Sequence, residues 1–276
     1  MPDEKRVLDP AAARAYYDRF GKKQDSQGFY EDPALDDMVA HASFQDTRHV
    51  FEFGCGTGKF AARLLERYLP CSATYLGCDV SPVMIGLAKH RLEAYGERAQ
   101  AVLSDGAVRF PLPDHSVDRV VSSYVLDLLS EADIGHFFAE ARRVMMPGGK
   151  VCIASLTSGV NVPSRIVSSL WMSLFHLGPA LVGGCRPIHV DAFVNPQEWQ
   201  IVHRRVATPF GVPSEVLILK MKSVTNNGPE PMAPRAGAWP VEVLGKCRRP
   251  MSACAEGSDL AHIEADLLKL TRNPNR

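Results

Sequence analysis

The 276-residue sequence predicts an α/β protein built on a doubly wound, seven-stranded sheet with helices on both faces. Three observations predict it. From residue 49 to 156, short β-rich runs alternate with helical stretches, and right-handed crossovers then place helices on both sides of a parallel sheet. The first run ends in "EFGCGTG", where Gly54, Gly56 and Gly58 follow Glu52 at alternate positions. Glycine is costly inside a strand, so this stretch reads as a turn whose backbone a ligand must touch. After the fifth run the alternation stops and two β-rich runs joined by "PFGVP" form an antiparallel hairpin.

The elements follow in order. Residues 9–45 read as helical: Asp9 and Pro10 open one helix with Gly21 as its stop, and Asp32 and Pro33 open another. "HVFEFG" is the first strand. "KFAARLLERYL" is a helix with Phe60, Leu64, Leu65 and Leu69 on one stripe. "ATYLGCDV" is the second strand. "SPVMIGLAKHRLEAYG" is a helix with Ser81 as N-cap and Gly96 past its end. "AQAVLSD" and "DRVVSSYV" are the third and fourth strands, "SEADIGHFFAEARRVM" a helix, and "GGKVCIASL" the fifth strand. Residues 159–198 are helical and irregular, too long for a simple connection. "WQIVHRRVAT" and "SEVLILKMK" make the hairpin. Residues 224–276, rich in Pro, Gly and Asn at their start, read as a disordered extension with one docking helix in "SDLAHIEADLLKL".

Bulk properties narrow the function. Acidic and basic residues number 31 each, so no global field draws the chain to nucleic acid or anionic membrane. The N-terminus lacks the apolar run of a signal peptide, and the most apolar later stretch, 166–182, is broken by serines, His176, Gly178 and Pro179. The expectation is a cytoplasmic protein without a membrane span. The seven cysteines form no CxxC pair, which argues against a zinc site or disulfide framework and for reduced thiols.

In an open parallel sheet, ligands bind beyond the carboxyl ends of the strands. The dinucleotide fingerprint fails at the first end, because Lys59 stands where its third glycine belongs. The phosphate loop fails as well, because Phe60 replaces the hydroxyl residue. At the second end, Asp79 either accepts the hydroxyls of a ribose or caps the following helix. At the third, Asp105 either accepts an exocyclic adenine amine, with Gly106 allowing close approach, or closes an Asp-Gly turn. At the fourth, Ser122, Ser123 and Tyr124 reach the same crevice, and Asp127 faces either the pocket or solvent.

Together these segments resemble the class I S-adenosylmethionine-dependent methyltransferases, small-molecule type-11-like members in particular. "EFGCGTG" is similar to the family's ExGxGxG loop, "GCDVSPVMI" to its ribose-binding segment, and "SDGAVRFPLPDHSVDRVVSSYVLDLL" to its D-x(n)-LP-x-D pattern. "EARRVMMPGGKVCIASL" resembles its helix–PGG–strand segment. The resemblance covers about Val50–Leu156 and the hairpin Trp199–Lys222. It implies strand order 3-2-1-4-5-7-6 with the last strand antiparallel, and S-adenosylmethionine as cofactor. It implies a cofactor site of Glu52, Gly54, Cys55, Gly56, Gly58, Asp79, Val80, Met84, Asp105, Gly106, Ser123 and Tyr124. Glu52 would orient the loop and hold the methionine amino group through water, and Met84 would pack near the adenine.

The resemblance further implies a methyltransferase domain over 46–223, an N-terminal helical lid over 1–45, and a substrate side formed by 159–198. "AYYDRFGKKQD" resembles the opening of quinone-type and general small-molecule members, which makes Tyr16 and Tyr17 lid residues or packing residues. Arg186 could grip a carboxylate or phosphate, or pair with Asp191; His189 could be a general base, or an ordinary loop residue. Arsenic methylation needs several converging thiols, and Cys185 alone is placed for it. The expected function is methyl transfer to a small organic acceptor, by O- or C-methylation of an aromatic, quinone-like or secondary-metabolite compound. The rivals are methylation of RNA or protein, NAD(P)-dependent oxidoreduction, and cofactor binding without catalysis.

Overall fold

A computed structural model describes residues 7–222. The 224–276 extension and its proposed helix lie outside the described residues, as do the first six residues of the N-terminal segment.

The sheet has seven strands: β1 (His49–Phe53), β2 (Thr74–Asp79), β3 (Ala99–Leu103), β4 (Val117–Ser123), β5 (Met145–Leu156), β6 (Trp199–Ala207) and β7 (Ser214–Met221). Their order is β3-β2-β1-β4-β5-β7-β6, as expected. β1 to β5 run parallel, and β7 lies antiparallel between β5 and β6. The helices are α1 (Pro10–Phe20), α2 (Gly28–Ala42), α3 (Lys59–Arg67), α4 (Pro82–Leu92), α5 (Glu131–Val144) and α6 (Val162–Leu177).

Strand alternation divides the core into two layers. Val50, Tyr75, Val121, Cys152 and Ile218 pack beneath α2, α3 and α4. Phe51, Leu76, Val120, Val151 and Leu219 pack on the opposite face against α5, Phe110 and Trp199. The stripe of α3 turns inward, with Phe60, Leu64 and Leu65 buried. The strand cysteines Cys78 and Cys152 are buried free thiols.

The local start signals act as expected at two helices. Asp9 accepts the Ala12 amide at 2.7 Å, and Ser81 accepts the Met84 amide at 3.1 Å. At α2 they mislead. The helix starts at Gly28, four residues before Asp32, and Pro33 lies inside it. A 3-10 run over Gly21–Gln27 feeds directly into the helix, and burial of Gly28 and Tyr30 extends it toward the N-terminus. Pro33 removes one backbone donor, a local loss that this packing outweighs.

Candidate functional site

Three strand ends and the glycine turn meet at one place. Gly54 and Cys55 both donate their amides to the Cys78 carbonyl at 2.9 Å, folding the turn back over β2. Gly56 donates to Asp79 Oδ2 at 3.0 Å, and Ser81 donates its amide to Asp79 Oδ1 at 2.8 Å. Asp79 therefore both caps the α4 entry and anchors the turn. Burial raises its carboxyl above the ordinary aspartate range, against the pull of those amides.

Two turn glycines have distinct reasons. A side chain at Gly54 would place its Cβ 2.2 Å from Val125 Cγ2, and φ there is +79°. At Gly56, with φ +51°, a Cβ would meet nothing within 4 Å, because that backbone opens onto free space.

The free space is a cavity of about 160 Å³. Its base is Gly54, Gly56, Asp79, Val80 and Met84; Ser123 and Tyr124 come from the end of β4, and Ser104 and Gly106 from the end of β3. Its roof is Val7, Leu8, Pro10, Ala13 and Tyr17. A second cavity, about 80 Å³, adjoins it and holds Glu52 and Cys55. The two share Gln24, Gly54, Gly56, Ser123 and Tyr124. The first is mainly apolar; the second carries Asp25, Glu31, Asp32, Lys59 and Arg63.

Glu52 is buried and accepts the Tyr75 hydroxyl at 2.6 Å and the Ser123 hydroxyl at 3.4 Å. Burial pushes its carboxyl up to about 7, although both hydroxyls favour the ionised form. The Cys55 thiol is likewise pushed up by burial. Tyr124 has φ +56°, a strained value for a non-glycine residue, and its hydroxyl meets Ser214 Oγ at 2.9 Å.

The remaining candidates fall elsewhere. Gly58 lines neither of these cavities; its Cα side packs on Ala88 of α4. Asp105 is exposed and turns away, accepting the Ala107 amide at 2.9 Å, while its neighbours Ser104 and Gly106 face the cavity. Arg186 is buried, donating to the carbonyls of Asp127 at 3.2 Å and Leu129 at 2.6 Å, so it braces the β4–α5 loop. Asp191 pairs with Arg204 instead, at 2.8 Å. His189 is exposed, 3.1 Å from Ser158 Oγ, and lines neither cavity. Of Tyr17, Arg186 and His189, the catalytic candidates of the sequence, Tyr17 alone reaches the cavity. Its hydroxyl lies 3.4 Å from the Gly183 carbonyl and 3.9 Å from Cys185 Sγ.

Residues 50–149 match the family described as "Methyltransferase domain". Over that stretch the chain is similar to the S-adenosylmethionine-dependent methyltransferases. Two curated relatives span its core. One is a malonyl-[acyl-carrier protein] O-methyltransferase of a Marinomonas species, 31% identical over 57% of this chain and 55% of that protein. The other is the ubiquinone/menaquinone biosynthesis C-methyltransferase UbiE of Paracoccus denitrificans, 32% identical over 40% of this chain and 42% of that protein. The chain thus spans about half the length of the curated relatives it matches. The cyclopropane synthase MmaA2 of Mycobacterium tuberculosis shares the fold at TM-score 0.54 and 16% identity, over 68% of this chain and 82% of that one.

In and around the site are groups whose role the sequence alone did not show. Glu31 lines the polar cavity, and burial pushes its carboxyl up to about 7. Asp25 accepts the Thr57 hydroxyl at 2.6 Å and pairs with Arg91 at 2.7 Å, tying the 3-10 run to the glycine turn. Ser81 donates its hydroxyl to Asp18 at 2.6 Å, fastening α1 above the cavity. Asp127 is fully buried but lines neither cavity; burial pushes it up to about 7, and its Oδ1 has no hydrogen-bond partner among the described residues. Apart from the Ser81 cap, no local pattern marks these roles, because the contacts that confer them come from residues far along the chain.

Among the described residues, one group outside the site brings together three side chains of metal-binding type: Asp37, His41 and His203. The two imidazoles stack 3.7 Å apart at 9°. A cation in the plane of one ring would lie off the plane of the other, and Arg205 already pairs with Asp37 at 3.1 Å. The arrangement is that of a hydrogen-bonded ion cluster.

Proposed function

We propose that the protein transfers a methyl group from S-adenosylmethionine to a small organic acceptor, by O- or C-methylation. The observation that carries this reading is the junction of an apolar and a polar cavity across Gly54 and Gly56. The cofactor has the same division: a flat adenosine at one end and a zwitterionic amino acid at the other.

The donor set fits it. Asp79 stands at the edge of the apolar cavity with both oxygens able to accept further hydrogen bonds, suited to ribose hydroxyls. Val80 and Met84 offer an apolar surface to adenine. In the polar cavity Glu52, Glu31 and Asp25 suit an ammonium, while Lys59 and Arg63 suit a carboxylate. The bare backbone at Gly56 lets the ligand cross from one cavity to the other.

When bound, the sulfonium supplies a methyl carbon open to in-line displacement. The chain then has to align the acceptor and exclude water. Ser123 and Tyr124 stand where the cavities join, and Tyr17 and Pro10 roof that region. The mainly apolar wall favours an aromatic or quinone-like acceptor. Similarity to a malonyl-[acyl-carrier protein] O-methyltransferase and to a ubiquinone/menaquinone biosynthesis C-methyltransferase supports an acyl or quinone-like acceptor.

Calorimetric titration with S-adenosylmethionine, its demethylated product and NAD tests the cofactor half. Tight binding of the first two and none of NAD is expected; the reverse overturns the reading in favour of an oxidoreductase. An acceptor panel of phenols, quinols, carboxylic acids and acyl thioesters, read by release of the demethylated product, tests the other half. Turnover confined to RNA or protein, or none in a cofactor-binding protein, would replace the small acceptor.

A further inference from the structure

The apolar stretch that the sequence marks out between residues 166 and 182 does not enter the core as a whole. Helix α6 buries Ser164, Ser168 and Phe175 on one face. On the other face Val162, Ile166, Leu170, Leu174, Leu177 and, just beyond the helix, Leu181 form a stripe at helical spacing, each between 37% and 80% exposed. The stripe continues sideways. Gly211 packs close to Val167, and beside it Phe210 is exposed and contacts Phe29 at 5.6 Å between ring centroids.

These eight side chains together expose on the order of 1,000 Å² of apolar surface, beyond the few hundred of an ordinary monomer's largest patch and near the roughly 800 Å² per partner of a stable interface. We propose that this face is a homodimer interface: a second copy of the chain, related by a two-fold axis, lays its own α6 against it.

Charge favours a second copy as the occupant. Across residues 156–185, Arg165 is the sole Asp, Glu, Lys or Arg, so two copies meet without like-charge repulsion. The hydroxyl of Ser173 is satisfied inside the helix, donating to the Ser169 carbonyl at 2.9 Å, and covering it strands no donor. A lipid surface would need the Lys/Arg-rich rim of an interfacial helix, and α6 has one arginine. The chain beyond residue 222 leaves from the end of β7 paired with the beginning of β5, whereas α6 follows the carboxyl end of β5. A segment of that tail would have to cross the length of the sheet to reach the stripe.

The interface would also bear on the site. From the inner side of α6, the Trp171 indole donates to the Cys185 carbonyl at 2.9 Å, and Cys185 lies against Tyr17 of the cavity roof. A partner on the outer side would therefore stiffen the roof through α6.

Sedimentation velocity of the full chain at tens of micromolar tests this. The expected result is a species of twice the chain mass. Ile166→Glu with Leu170→Glu should weaken dimerisation by about 100-fold or more, leaving the circular dichroism spectrum and melting temperature of the monomer native-like. Two variants at other surfaces, His90→Glu and Lys220→Glu, should stay dimeric. A monomeric wild type overturns the proposal, and so does a dimer that the double variant leaves intact. Two further readings say what covers the face if the wild type is monomeric. Flotation with phosphatidylglycerol vesicles that the double variant abolishes assigns it to lipid. Amide-exchange protection of residues 258–270 that the double variant abolishes assigns it to the tail.

Discussion

The Asp79 carboxylate accepts the Gly56 amide hydrogen across 3.0 Å, so the acid that ends β2 holds the turn that ends β1. One oxygen fixes the turn and the other fixes the α4 entry through Ser81. Ligand binding and turn geometry are thereby joined in one side chain. Asp79→Ala should lower S-adenosylmethionine affinity about ten- to hundredfold, the loss of 1.5–3 kcal/mol expected for charge-assisted bonds. Calorimetry measures this, and unchanged affinity would remove Asp79 from the ligand site.

The two turn glycines should fail differently. Gly54→Ala forces a Cβ into Val125 and strains a positive φ, and should cost about 2–4 kcal/mol of stability. Val125→Ala in the same chain should return part of that loss in a denaturant titration. Gly56→Ala meets no protein atom, so the chain should fold with a loss of about 1 kcal/mol. Its methyl would instead occupy the ligand's space, and cofactor affinity should fall at least about tenfold. A Gly56→Ala protein that binds normally would contradict the path across this backbone.

Stability should decline as pH rises toward neutrality. Glu52 and Asp127 are buried and titrate at about 7, against roughly 4 in an unfolded chain. Between those values the native state keeps protons that the unfolded state has lost. Their contribution is complete below the unfolded pKa and is lost as pH rises through about 7, with a slope of up to ~1.4 kcal/mol per pH unit for each group. Glu52→Gln should flatten the slope between about pH 5 and 7 in urea titrations. An ammonium placed beside Glu52 would favour its ionised form, so cofactor binding should release a proton near neutrality. Calorimetry in buffers of different ionisation enthalpy reads that release; Glu52→Gln should reduce it, leaving the share of Glu31, which burial pushes up to about 7 in the same cavity.

Arg186 and His189 should separate stability from chemistry. Arg186→Ala strips the Leu129 carbonyl of its side-chain donor and leaves the Asp127 carbonyl only the residue 186 backbone amide, at 3.1 Å, and should cost about 1–3 kcal/mol in a denaturant titration. Cofactor affinity of the folded fraction should stay within about twofold. His189→Ala, at an exposed loop position, should change neither; loss of turnover with intact cofactor binding would restore it as a base.

Much of this architecture was legible because its signals are local. Asp9–Pro10 and Ser81–Pro82 announce helix starts, and the glycines after Glu52 announce a turn, without reference to distant residues. Asp32–Pro33 carries the same signal but is overruled by the burial of Gly28 and Tyr30, whose packing carries the helix back past it. Beyond the end of β3 the chain turns, with Asp105 accepting the Ala107 amide and Gly106 at φ +94°, and the turn leaves Ser104 and Gly106 on the cavity instead of the more conspicuous Asp105. Tyr75, Glu31 and Asp127 gain their significance from partners brought near by folding, which spacing along the chain does not encode.

The placement of β7 between β5 and β6 has a consequence for how the molecule is made. β6 leaves the ribosome first, yet it can join the sheet only through a strand synthesised after it. Until residues 214–221 emerge, the growing chain carries the bare edge of β5, a template for pairing with other nascent chains. Closing that gap is a late, long-range step, and substitutions in β7 should lower the yield of native protein more than its final stability would suggest.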